Sequence, residues 1–121
     1  MTRILYIDDE DEIREIAELS LEMDPDFEVL LCASGREALA VAPQWKPALI
    51  LLDVMMPHMD GPATLAALRD HAMLRSTPVV FITARTQAAE REALLALGAN
   101  GVIGKPFDPM TLAATVRDYL R

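Results

Sequence analysis

Residues Ala48 to Gly61 read ALILLDVMMPHMDG, and this stretch decides the fold. It opens on a continuous apolar run, Ala48-Leu49-Ile50-Leu51-Leu52, without the polar alternation of a half-exposed strand. Such a run suits a central parallel strand covered on both faces. Asp53 ends it. As an isolated feature, this carboxylate reads equally well as the first loop residue after a strand. Its sequel weighs against that reading: Met55-Met56-Pro57 holds the chain extended, and Asp60-Gly61-Pro62 has the form of a helix start. An acid at a strand tip, followed by a tight loop into a helix, is the place where open α/β sheets put ligands.

Outward from this stretch the chain alternates strand and helix. Upstream, Arg3 to Ile7 is a short apolar run that stops at Asp8-Asp9-Glu10. The next helix carries Ile13, Ile16, Ala17, Ser20 and Leu21 at helical spacing, with Arg14, Glu15, Glu18 and Glu22 on the wet side. After the breaker Asp24-Pro25-Asp26, residues Phe27 to Cys32 form the second strand. Ser34-Gly35-Arg36-Glu37 fits a capping box. The helix it opens is expected to stop near Pro43, with Trp45 a lid on the core. Downstream, a third helix buries Leu65, Leu68 and Ala72. Val79 to Ile82 make a fourth strand ending at Thr83. A fourth helix runs from about Gln87 to Leu97, with Gly98 as its left-handed cap. Gly101 to Gly104 is a weak fifth strand ending at Lys105-Pro106. Asp108-Pro109 then reads as an N-cap and first helical position, opening a helix that turns Leu112, Val116 and Leu120 inward.

Five strand–helix units give an α/β fold, a parallel five-stranded sheet with helices on both faces. Asp8, Asp9, Asp53, Thr83 and Lys105 all fall at strand carboxyl ends, hence on one rim. Crowded carboxylates repel one another until a proton or a cation relieves them. An oxygen-only donor set without His or Cys favours Mg²⁺. A carboxylate beside such an ion can attack phosphorus and form an aspartyl phosphate. Lys105 and Thr83 would then meet the phosphoryl oxygens. Met55, Met56 and Met59 read as packing rather than soft-metal ligands, and His58 and His71 as solvated.

Composition sets the bounds. At 121 residues the chain reads as one domain, residues 1–121, and 52% apolar content permits a real core. No apolar run reaches the roughly 18 residues a membrane span requires. The start goes straight into a strand, so no signal peptide is expected. The formal charge of −8 disfavours nucleic acid as a direct partner. Cys32, the sole cysteine, reads as a buried, inert thiol in a reducing cytoplasm.

The set Asp8-Asp9, Asp53 through Gly61, Thr83-Ala84 and Lys105-Pro106-Phe107 resembles the receiver domain of two-component response regulators, across the whole chain. The resemblance implies a flavodoxin-like (βα)5 three-layer sandwich of strand order 2-1-3-4-5. It implies that Asp53 is the phosphoacceptor, taking its phosphoryl group from a phosphohistidine on a sensor kinase or phosphotransfer protein. Asp9, Asp53 and the Met55 backbone carbonyl would bind Mg²⁺ directly, and Asp8 mainly through water. Thr83 would be the switch hydroxyl, and Lys105 would pair with the phosphate, its bond to Pro106 being cis. The implied protein is a signalling domain that catalyses its own phosphorylation and dephosphorylation rather than an enzyme acting on others. Its first helix and the Pro106-Phe107 loop would dock the kinase.

Two features depart from the family pattern. Receivers usually carry Tyr or Phe three residues before the lysine, where this chain has Val102. Asn100, Gly101, Thr111 and Thr115 are uncharged on the face through which many winged-helix regulators pair. The uncharged face argues for a monomer or weak phosphorylation-dependent dimer, and with no output domain within the 121 residues a stand-alone regulator or phosphate shuttle is expected. The receiver part of a longer transcriptional or enzymatic regulator is the alternative. Two rival classes remain to be weighed. A haloacid-dehalogenase-type phosphatase needs a second acid where Met55 stands, which argues against it. A phosphorylation-independent interaction module would have no need of all five signature residues.

Overall fold

A computed structural model describes residues 1–121. The elements are β1 (Thr2–Ile7), α1 (Asp11–Leu21), β2 (Phe27–Cys32), α2 (Gly35–Trp45) and β3 (Leu49–Asp53). They continue through α3 (Gly61–Asp70), a 3-10 turn (Ala72–Leu74), β4 (Val79–Thr83), α4 (Ala88–Ala96), β5 (Gly101–Gly104) and α5 (Leu112–Tyr119). The strands pair in the order β2-β1-β3-β4-β5, all parallel, as the flavodoxin-like arrangement requires. No helix is long and apolar enough to cross a membrane.

Every residue of β3 and β4 is buried, which accounts for their unbroken apolar runs. Alternate residues feed two cores. Leu5, Ile7, Ile50, Leu52, Val79, Phe81 and Val102 face α2, α3 and α4. Ile4, Tyr6, Leu49, Leu51, Val80 and Ile82 face α1 and α5. The register places Ile7 beside Leu52, Asp53 beside Ile82 and Thr83 beside Gly104, so the carboxyl ends of β1, β3, β4 and β5 finish level.

Local chemistry explains the boundaries. Ser34 Oγ accepts the Glu37 N–H at 3.1 Å, and Glu37 Oε2 accepts the Ala33 N–H, one residue earlier than a standard capping box. Asp60 caps α3 by accepting the Ala63 N–H at 2.9 Å. Gly61 is required sterically: a Cβ there would lie 2.6 Å from the Asp53 carbonyl oxygen, because α3 starts hard against the end of β3. Gly98, at φ 103°, follows α4 as expected.

Several sequence expectations need correction. α2 continues past Pro43 to Trp45. A proline in this last turn forfeits one N–H, but Trp45 packs partly buried against the core and Lys46, at φ 56°, closes the helix onto Ala42. α3 ends at Asp70, so Ala72 is exposed and Leu74 fills the space instead. His71 stops that helix and its Nδ1 accepts the Met73 N–H, a cap for the 3-10 turn rather than a purely solvated role. α5 begins at Leu112, not at Pro109. Asp108 caps the preceding turn through Oδ1 to the Met110 N–H, while Thr111 at φ −120° holds the chain off helical geometry. Leu112 and Val116 are buried, but Leu120 lies just beyond α5 and only half-buried. On α1, Ala17, Ser20 and Leu21 are buried, whereas Ile16 is 42% exposed. Met56 packs in the core and Met59 is half-buried against Gly35, but Met55 is exposed.

Candidate functional site

Asp8, Asp9, Asp53 and Lys105 meet at the carboxyl rim of the sheet. Each of the three acids offers a carboxylate oxygen, and these oxygens lie within 4.8 Å of one another. Asp8 is fully buried, Asp53 is nearly so, and Asp9 opens to solvent. Lys105 Nζ stands 3.0 Å from Asp8 Oδ2, 3.5 Å from Asp53 Oδ2 and 3.5 Å from Glu10 Oε1. One ammonium thus faces three carboxylates, and Asp9 adds a fourth to the cluster. The Lys105–Pro106 peptide bond is cis, as the resemblance implied.

The electrostatics follow from that crowding. Burial first, and then the negative charge of Asp8, push the Asp53 carboxyl up to about 6, with Lys105 pulling the other way and Asp9 adding to the rise. Burial works against the Lys105 ammonium. The hydrogen bond to Asp8 and the charges of Asp53, Asp8 and Glu10 outweigh it and hold Lys105 above the ordinary lysine range. Elsewhere, burial pushes the Cys32 thiol up to about 12, which makes it inert as expected.

Strand alternation divides the rim in a way the sequence reading passed over. Asp53 continues the side of β3 that carries Leu49 and Leu51, and Asp8 continues the side of β1 that carries Ile4 and Tyr6. Both sides face α1 and α5, and Lys105 reaches them from beyond β5. Thr83 instead continues the side of Val79 and Phe81, facing α3 and α4. Its Oγ1 accepts the Arg85 N–H at 3.0 Å and makes no hydrogen bond to the acids or to Lys105. It lines a hollow of about 350 Å³ with Val54, Pro62, Leu94 and Leu97. The structure therefore gathers Asp8, Asp9, Asp53 and Lys105, with Thr83 at the border and its hydroxyl hydrogen unused.

Three contributors escaped the sequence reading. Glu10 joins the Lys105 ion pairs, and its N–H donates to Asp8 Oδ1 at 3.0 Å. Arg14, read only as a wet-face residue, donates from Nη1 to the Asp8 backbone carbonyl at 2.6 Å and pairs with Asp11. Tyr6, read as a strand residue, donates its hydroxyl to Asp8 Oδ2 at 3.1 Å. Burial and the charge and hydrogen bond of Asp8 keep that phenol protonated far beyond its ordinary range. The signal for Tyr6 was present: a residue two before Asp8 in a strand shares its face.

Comparison makes the class of this parallel α/β sheet, with its acid-lined rim and one lysine, specific. The chain belongs to the response regulator receiver domain family, whose family model matches residues 4–117. It is 41% identical over 117 residues to a response regulator of Synechocystis sp., an overlap covering 97% of this chain and 51% of that protein. It is 37% identical over 118 residues to the transcriptional regulatory protein SrrA of Staphylococcus aureus, covering 98% of this chain and 47% of that one. The chain thus spans about half the length of these curated relatives. The solved structure of the chemotaxis protein CheY4 of Vibrio cholerae superposes with a TM-score of 0.90 at 35% identity, covering 98% of each chain. The chain is a receiver domain of the two-component type, a signalling domain.

Proposed function

We propose that Asp53 accepts a phosphoryl group from a phosphohistidine in a Mg²⁺-dependent reaction, and that the aspartyl phosphate changes the protein's surface for a partner. The observation carrying this reading is Lys105 Nζ placed between Asp8 and Asp53 at the rim, beside three converging carboxylates. The donor set fits Mg²⁺, being all oxygen and rich in negative charge. Asp9, Asp53 and the Met55 backbone carbonyl would hold the ion, with Asp8 acting through water. When bound, Mg²⁺ supplies charge neutralisation for the phosphoryl oxygens.

The chain's own groups do the rest. An ionised Asp53 oxygen attacks phosphorus, the O–P bond forms as the P–N bond to the donor imidazole breaks, and that imidazole leaves with the bonding pair. Lys105 meets the charge on the transferring group as a fixed ammonium. Thr83 has a free hydroxyl hydrogen to donate to a phosphoryl oxygen. Dephosphorylation is a separate hydrolysis: a water oxygen bonds to phosphorus as the P–O bond to Asp53 breaks, Asp53 leaves as the carboxylate, and the water's protons pass to the departing inorganic phosphate and to solvent. In this way the domain catalyses its own phosphorylation and dephosphorylation.

For the donor's docking surface we infer α1 and the loop after β5. Ile16 and Leu19 on α1, Met23 just beyond its end and Met110 near the loop are exposed apolar residues. The phosphohistidine donor and the buried, inert thiol both suit a cytoplasmic location. The relatives' greater length favours a second reading of the context, in which residues 1–121 form the receiver part of a longer regulator.

The test is intact-mass analysis after incubation with Mg²⁺ and a small acyl phosphate. The parent should gain one phosphoryl group and Asp53→Ala none. Undiminished phosphorylation of that variant would sink the assignment.

A further inference from the structure

Asp8 is the most enclosed acid of the site, and its partners decide how it presents itself. A carboxylate has about four acceptor directions. Three of those of Asp8 are taken: Oδ1 by the Glu10 N–H, and Oδ2 by both Lys105 Nζ and the Tyr6 hydroxyl. One remains, on Oδ1. Tyr6 is itself fully buried on the α1 and α5 side of the sheet, two residues before Asp8 on the same strand face. A phenylalanine there would fill the core equally well. The hydroxyl is therefore surplus to packing, and its hydrogen bond runs to the site.

We propose that Tyr6 is a positioning residue of the phosphoryl site, whose hydroxyl fixes the rotation of the Asp8 carboxylate and so the way it is presented to the acids that would hold Mg²⁺. This rests on the Mg²⁺-dependent reading above. With the hydroxyl gone, Oδ2 is held by Lys105 alone and Oδ1 by the Glu10 N–H, so the carboxylate is less firmly fixed. Groups that orient metal-binding side chains are worth ~10–100-fold in metal affinity. Tyr6→Phe should weaken Mg²⁺ binding by about tenfold, at the lower end because Asp8 keeps two other donors.

The experiment is Mg²⁺ titration by calorimetry of the parent, Tyr6→Phe, Asp8→Asn and the double variant. Action through Asp8 requires the loss from Tyr6→Phe to shrink towards none in the Asp8→Asn background. A purely structural role would give an equal loss, or none, in both backgrounds. A spectroscopic measurement needs no change at Tyr6. The chain has two tyrosines, and Tyr119 lies against Gly101 at the opposite end of the sheet. In Tyr119→Phe, Mg²⁺ should still shift the near-ultraviolet tyrosine absorption, because Tyr6 touches Asp8. If the parent binds Mg²⁺ while Tyr6→Phe binds it equally well, or while Tyr6 shows no spectral shift, the positioning role is refuted and the Mg²⁺ reading stands. If the parent binds no Mg²⁺, both fall.

Discussion

Replacing Asp53 by asparagine in metal-free protein should make the fold more stable, although Asp53 is the residue on which the chemistry is proposed to turn. The residue is 4% exposed, and its carboxyl is raised from 3.8 to about 6, by burial first and then by Asp8. A raised carboxyl means that the native state holds this proton more tightly than the unfolded chain does. Its stabilising contribution is complete below pH ~4 and disappears as pH climbs through ~6. Two pH units at about 1.4 kcal/mol each set a ceiling near 3 kcal/mol. Lys105, 3.5 Å away, would lose part of its attraction in the variant. A net gain of ~1–2 kcal/mol at pH 8 is therefore expected.

The measurement is chemical or thermal unfolding of the parent and Asp53→Asn in chelator, from pH 4 to pH 8. The two should coincide near pH 4, where protonated Asp53 resembles asparagine. By pH 8 the variant should melt roughly 4–8 °C higher. Added Mg²⁺ should narrow the gap by stabilising the parent, since a ligand that binds only the native state raises its stability. A clear drop in the variant's melting temperature, or a difference that ignores pH, would refute the crowding of these acids.

Lys105→Ala removes the one ammonium among four carboxylates, leaving buried Asp8 with neutral donors alone. Unfolding in chelator should show a loss of about 2–3 kcal/mol, and phosphorylation by acyl phosphate should slow ~10²–10³-fold; a rate within a few-fold of the parent would remove Lys105 from the reaction. Phosphorylation should produce its largest amide shifts over residues 53–60 and 83–89, with smaller ones around Val102. Equal changes on β5 and α5 in a nitrogen–proton spectrum would show that the valine does not interrupt the route from site to surface.

The parts of the fold that depend on burial on both faces were legible. β3 and β4 announce themselves as unbroken apolar runs because helices cover both sides of a central parallel strand. The polar residues that end the strands then mark one rim. Legibility fell where a boundary depends on competition among local hydrogen bonds. Pro43 reads as a stop, yet the packing of Trp45 carries α2 through it. Pro109 reads as a start, yet Thr111 delays α5 by holding φ at −120°. Ile16 has helical spacing but faces outward, since periodicity marks an apolar face without saying whether this chain or a partner covers it.

The division of the rim by strand parity bears on how the switch works. Asp8, Asp53 and Lys105 meet on the side of the sheet that packs α1 and α5. Thr83 and Val102 belong to the side that packs α3 and α4, Val102 being buried with Phe81 and Leu94. If Asp53 carries the phosphoryl group as proposed, the Thr83 hydroxyl would reach it only by turning around the end of β4, at the cost of the hydrogen bond from Arg85 N–H. A charge-assisted hydrogen bond is roughly twice as strong as a neutral one, so the exchange is favourable. Its first structural consequence falls on the Arg85 backbone, at the root of the loop into α4. In an aromatic-bearing receiver a ring at the position of Val102 could follow the threonine. Here the side chain is β-branched, restricted at χ1 and enclosed, so it has no comparable second position. The hollow lined by Thr83, Pro62, Leu94 and Leu97 must then adjust by movement of α4 itself. On the proposed phosphorylation of Asp53, the responsive surface is therefore expected on the Thr83–Gln87 loop and the first turn of α4, where exposed backbone is cheapest to move.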